Sequence, residues 1–176
     1  MKNVHILFFL LVFSFISCTK DDTNEALEVT AANIKGKWNL TSVSCKDGKS
    51  SKEDLDRVFQ LATFEVTGED INASVEMTEN PNNYIGRGTL THVKKITPGG
   101  LMQTLDFTVV DFAEWGAWRL ENNKLIVSTS EIETITFDII KLNASTLEYK
   151  VNIREVVEDD DYKYVSTGTY FYTFTR

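Results

Sequence analysis

Leu147-Glu148-Tyr149-Lys150-Val151-Asn152-Ile153-Arg154 sets four apolar residues on one parity and four polar residues on the other. Such alternation marks a β-strand with one buried and one wet face. Upstream, Ile135, Phe137 and Ile139 alternate with Thr134, Thr136 and Asp138, and Asn143-Ala144-Ser145 has the composition of the intervening hairpin turn. A second hairpin is written in Trp118-Arg119-Leu120 and Leu125-Ile126-Val127, joined through Asn122-Asn123. Asparagine tolerates the left-handed backbone that such a turn demands. Extending the count outward predicts ten strands, near 36–45, 60–67, 70–78, 84–95, 102–112, 115–120, 124–129, 132–141, 146–156 and 162–175. Parallel strands would need crossover helices, for which the links leave no room. The expected fold class is therefore all-β: an antiparallel up-and-down β-barrel of 8–10 strands. One short helix is expected between the first two strands, from Lys52 to about Phe59. Ser50 and Glu53 have capping-box spacing there, and Leu55, Val58 and Phe59 share a helical face.

The whole chain has 176 residues, with 42% hydrophobic and 25% charged, the balance of a folded domain. Asp and Glu number 26 against 18 Lys and Arg, a net charge of −8. That excess argues against a nucleic-acid partner, which calls for a basic face. Two His and two Cys leave little for metal or triad chemistry. No Gly-x-Ser-x-Gly elbow is present. Glu158-Asp159-Asp160-Asp161 is the densest charge run, but adjacent carboxylates on a hairpin tip point different ways, so it reads as a solvated turn. The expectation is a non-enzymatic protein with no catalytic residues, no cofactor and no metal.

The N-terminus reads as an address. Met1-Lys2-Asn3 precedes an apolar run of eleven residues, Ile6 to Ile16, about half of the ~20 that a membrane-spanning helix needs. The length suits a secretory signal peptide. Phe15-Ile16-Ser17-Cys18 resembles the bacterial lipobox, with Phe15 in place of the usual Leu. The resemblance implies cleavage before Cys18 and acylation of that residue; the alternative is an ordinary signal peptide cut near Ser17. Several acyl chains on one Cys would anchor the protein stably, where a single chain would not. Thr19-Lys20-Asp21-Asp22 is similar to the surface-export signal of Bacteroidetes lipoproteins. It implies an outer-membrane, lipid-anchored protein exposed at the cell surface, with a periplasm-facing one as the alternative. The expected domains are residues 1–17 as signal peptide, 18–33 as lipidated Cys and flexible tether, and 34–176 as barrel. His5 then falls in the signal, and His92 reads as a surface or rim histidine. Cys45, the remaining thiol, reads as a small residue buried in the first strand.

Gly36-Lys37-Trp38, placed just after the tether, resembles the Gly-x-Trp opening of lipocalins and fatty-acid-binding proteins. Gly116-Ala117-Trp118-Arg119-Leu120 with Lys124-Leu125, and Ile140-Lys141-Leu142 through Thr146-Leu147, extend the likeness to the lipocalin-like domains of Bacteroidetes lipoproteins. The resemblance implies a calycin-type barrel closed at one end by Trp38. It also implies a late arginine stacked on that indole, a role that passes to Arg176; the alternative is a solvated C-terminal Arg. Tyr162, Tyr164, Tyr170, Tyr172 and Phe174 share one parity of the last strand. Tyr164, Tyr170 and Tyr172, together with Tyr149, Leu40 and Ser42, are the candidate cavity residues for a small, partly hydrophobic ligand. The alternative is that they fill a narrow barrel as core. In that case the protein is a surface accessory that contacts a protein or glycan through its rim: the 46–59 connection, the 157–161 tip and Trp115.

Overall fold

The computed structural model describes residues 25–54, 57–99, 104–112, 115–129, 133–159 and 162–176. The signal segment, Cys18 and the export motif lie outside these residues. A short helix, α1 (Ala31–Ile34), leads into β1 (Gly36–Asp54), β2 (Arg57–Thr78), β3 (Asn83–Pro98), β4 (Thr104–Asp111) and β5 (Trp115–Glu121). The chain continues through β6 (Lys124–Ser128), β7 (Thr134–Leu142), β8 (Thr146–Glu158) and β9 (Lys163–Thr175). All pairings are antiparallel.

Eight strands close a ring, because β2 pairs with β3 as well as with β1, and β1 pairs with β9. The ninth, β4, hangs on β3. Strand β3 is long enough to be shared: Asn83–Ile85 pairs with β5, and Thr89–Ile96 pairs with β4. The Asn122-Asn123 hairpin forms as its residues suggest, with φ of 49° and 62°. In the turn after β7, Asn143 is buried and its Oδ1 accepts from the backbone N–H groups of Ser145 and Thr146 at 3.0 and 2.7 Å. The β2–β3 turn holds a cis Asn80–Pro81 bond.

Three expectations need correction. First, the helix expected over Lys52–Phe59 is absent: Lys52–Asp54 ends β1 and Arg57–Phe59 begins β2, paired with each other. Cross-strand chemistry outweighs the local capping pattern. Lys52 stands opposite Tyr164 with its ammonium 3.1 Å from the Tyr162 ring centroid, while Glu53 faces Lys163 and lies 3.6 Å from its ammonium. The helix lies ahead of the first strand instead, with Thr30 as N-cap. Second, the 60–67 and 70–78 segments are one strand, bent at a bulge between Glu69 and Asn72 where Asp70 has φ 47°. Third, the stretch read as tether is docked from Leu27 on. Leu27 N–H donates to the Leu142 carbonyl at 2.8 Å, and Leu27 and Val29 pack on the core.

One cluster of buried side chains fills the barrel axis, from Ile34, Trp38 and Phe174 at the closed end to Val43 and Leu90. Burying a side chain of this size contributes about 1.5–3 kcal/mol. Rim ion pairs such as Lys35–Glu79 at 2.9 Å are partly exposed and worth at most about 1 kcal/mol each. The core therefore holds the fold. A smaller cluster of Cys45, Phe64 and Val66 sits above it.

Candidate functional site

The closed end and the β7–β8 wall depart from plain strand-to-strand closure. At the closed end, α1 brings the Ile34 carbonyl 2.7 Å from Trp38 Nε1, which donates to it. Arg176 stacks on the indole, its guanidinium carbon 4.1 Å from the ring centroid. The same guanidinium donates to the carbonyls of Ala144 (2.9 Å), Lys35 (3.1 Å) and Asn33 (3.4 Å). One cation thus ties the last residue, the β7–β8 turn and the entering chain to a fully buried Trp. This end is a structural lock.

The other place is in the wall. Strand β8 pairs with β7 only over Leu147–Lys150, then follows β9 alone. Above Asp138 the wall splits, and a cleft of about 580 Å³ opens between Ile135 and Phe137 on one side and Val151 and Ile153 on the other. Tyr172 forms its back. Lys124, Glu133, Asp138 and Arg154 ring the mouth. Lys124 donates to Asp138 at 2.8 Å, and that hydrogen bond holds the Asp138 carboxyl below the usual carboxylate range. An apolar throat, one phenol and a charged mouth suit a small molecule with an apolar body and polar substituents.

The expected cavity residues fall in different places. Tyr172 lines the cleft and stacks on Tyr149, ring centroids 5.4 Å apart. Tyr149 itself is core, 1% exposed and against Phe137 and Phe174. Leu40 is core as well. Tyr170 packs higher up beside Cys45, where burial pushes its phenol up to about 12. Tyr164 lies at the far end of β9, 39% exposed. Ser42 faces outward and does not line the interior. A β-bulge between Leu40 and Ser42 shifts the alternation by one, so that Val43 and Cys45 point in. Cys45 is fully buried, which raises its thiol pKa. The cleft residues Ile135, Phe137, Val151 and Ile153 were visible only as the apolar parity of two strands; nothing in that parity tells where the two strands part.

His92 is half-buried at the inner side of the wall, as a rim histidine would be. It shares the inner face of β3 with Leu90 and Lys94, pairs across to Thr108, and lies 6.2 Å from the Tyr170 ring. Its Nε2 is buried with no hydrogen-bond partner among the described residues. Burial holds the imidazole below its usual value of 6.5. The unfolded chain therefore binds the proton more readily, and stability falls as pH drops below about 6.5. Melting at pH 8 and pH 5 should show this loss, and His92→Phe should lose less. An equal loss in both proteins would exclude a contribution from His92.

Among the described residues no group of His, Cys, Asp and Glu is arranged to hold a metal ion, and no helix is long and apolar enough to cross a membrane. None of the curated proteins matches the chain. Residues 34–149, more than half of its length, match the family model of a lipocalin-like domain. With the ring of antiparallel strands and the stacked Trp38 at its closed end, this match establishes that the chain belongs to the lipocalin-like domain family.

Proposed function

We propose that this chain is a non-enzymatic, lipid-anchored binding protein that holds a small, partly apolar molecule in the cleft between β7 and β8. The cleft carries the reading. There the wall of a barrel with a filled axis gives access to apolar side chains and a phenol. Family membership supports it, since lipocalin-like barrels are binding folds. The test is mass spectrometry of small molecules released by denaturing protein purified from its own host. A near-stoichiometric compound is expected from the wild type and should be lost from Ile153→Arg, whose guanidinium would occupy the throat. Wild-type protein that releases nothing would sink the proposal.

Acylation of Cys18 and export to the outer face of the outer membrane belong to the same proposal, supported by the lipobox-like Phe15–Cys18 and by Lys20-Asp21-Asp22. Cys18→Ser should move the protein out of the membrane fraction. Replacing Lys20, Asp21 and Asp22 by Ala should keep it membrane-bound but hide it from protease added to intact cells.

A second reading, contact with a glycan, rests on Trp115. It is 72% exposed and borders a groove of about 490 Å³ with Ile85, Ala117 and Arg87. Glycan retention that vanishes in Trp115→Ala, with no compound released from the cleft, would favour it.

A further inference from the structure

Strand β4 carries an unbroken outward row of apolar side chains. Its pairing with β3 sets Thr104, Asp106 and Thr108, themselves exposed, on the same face as Ile96, Lys94 and His92, and so turns Leu105, Phe107 and Val109 to the other, outer face. Those three are 62%, 63% and 72% exposed. It is also an edge: β4 ends the sheet order, and among the described residues no strand pairs with its second side. Edges of soluble sheets are commonly blunted by Lys or Pro, and Thr104–Asp111 contains neither. An apolar face along an open edge is a template for another strand.

We propose that this edge pairs with the β4 edge of a second copy of the chain, antiparallel about a two-fold axis at Phe107. The residues select both occupant and register. With Phe107 opposite its own copy, Leu105 meets Val109 on the outer face and Asp106 meets Thr108 on the inner. The central outer row then reads Val93, Phe107, Phe107, Val93 across the two molecules. Each Asp106 keeps Lys94 of its own chain on one side and gains a hydroxyl on the other. Sliding one copy by two residues sets either Asp106 against Asp106, a like-charge pair that destabilises a sheet, or Asp111 against Leu105. Sliding by one sets the apolar face against the polar one. The three side chains expose a few hundred Å² per copy. Doubled by symmetry and joined to a backbone ladder, the contact approaches about 1,000 Å², the lower end for a specific interface.

The test is disulfide trapping of the full chain in its own membranes. Directly opposed residues of an antiparallel pair have Cα atoms about 4.5–5.5 Å apart, within disulfide range. Under mild oxidation Phe107→Cys should run as a covalent dimer of two identical chains. The wild type, whose Cys45 is buried and whose Cys18 is acylated in the proposed function, should form no covalent dimer. Leu105→Cys should not cross-link to itself, since it faces Val109, whereas the Leu105→Cys/Val109→Cys double variant should. The side chains replaced are exposed, so folding is retained and near-UV circular dichroism checks it. Phe107→Cys that stays monomeric, that joins a different protein, or that cross-links no better than Leu105→Cys overturns the proposal.

Discussion

Trp38→Ala is expected to lower the stability of the barrel by about 3–5 kcal/mol, the cost of removing a fully buried large aromatic. Against a typical total of about 5–15 kcal/mol, that is enough to leave much of the protein unfolded at 37 °C. The indole fills the closed end with 0% exposure, and its N–H satisfies the Ile34 carbonyl at 2.7 Å. Truncation leaves a cavity and an unpaired carbonyl together. Trp38→Phe keeps most of the packing and loses the donor, so its cost should be nearer the ~1 kcal/mol of one hydrogen bond. Arg176→Ala should cost more in the wild type than in Trp38→Ala. The difference is the cation–π coupling, ~0.5–2 kcal/mol. Urea unfolding of the four proteins yields all three quantities. A loss under about 1 kcal/mol in Trp38→Ala would show that this end is not what holds the ring shut.

Gly88→Ala should be comparably damaging for a different reason. Gly88 has φ +102°, and a Cβ built there would clash with the Asn72 carbonyl oxygen and lie 2.8 Å from the Ala73 Cα. Both are backbone atoms of β2 just past its bulge, where the register between Glu69 and Asn72 shifts. Neither can swing aside as a side chain would. Positive φ alone costs about 1–3 kcal/mol, and forcing the strands apart adds about 1–3 kcal/mol. Gly99→Ala separates the two effects: its φ is +51°, and nothing lies within 4 Å of the added carbon. It should cost about 1 kcal/mol. Equal melting temperatures for the two variants would show that the close approach at Gly88 is relieved by a small shift.

Much of this architecture could be read from residue order, because alternation is a local property. Leu147, Tyr149 and Val151 are buried as their parity demands, and Asn122-Asn123 turns the chain where it should. What escaped is non-local. The bulge after Leu40 reverses which of Ser42 and Val43 faces in, and no residue between them announces it. Ser50 and Glu53 carry a helix-start spacing, yet Glu53 lies within ion-pair distance of Arg154 and Lys163, a hundred residues away. The candidate site shows the same division. Tyr172 was legible as an inward aromatic, while the cleft that exposes it exists only because β7 and β8 stop pairing above Lys150. Outward-facing Leu105, Phe107 and Val109 had the alternation of any half-buried strand; only the pairing partner Leu90 tells which side is in.

The docking of Leu27 and Val29 beneath the barrel has a mechanical consequence. A pull applied ahead of Leu27 first meets one backbone hydrogen bond, Leu27 to Leu142, and the apolar side chains of Leu27 and Val29; behind them stand α1, with Ile34 in the core, and the Asn33 and Lys35 carbonyls held by Arg176. The Leu27 and Val29 contacts can peel away while the ring stays whole. Releasing residues 27 to 29, ahead of the Thr30 cap, frees a segment of about 10 Å at ~3.3–3.6 Å per residue. Under load the chain behaves as a reel with a weak catch.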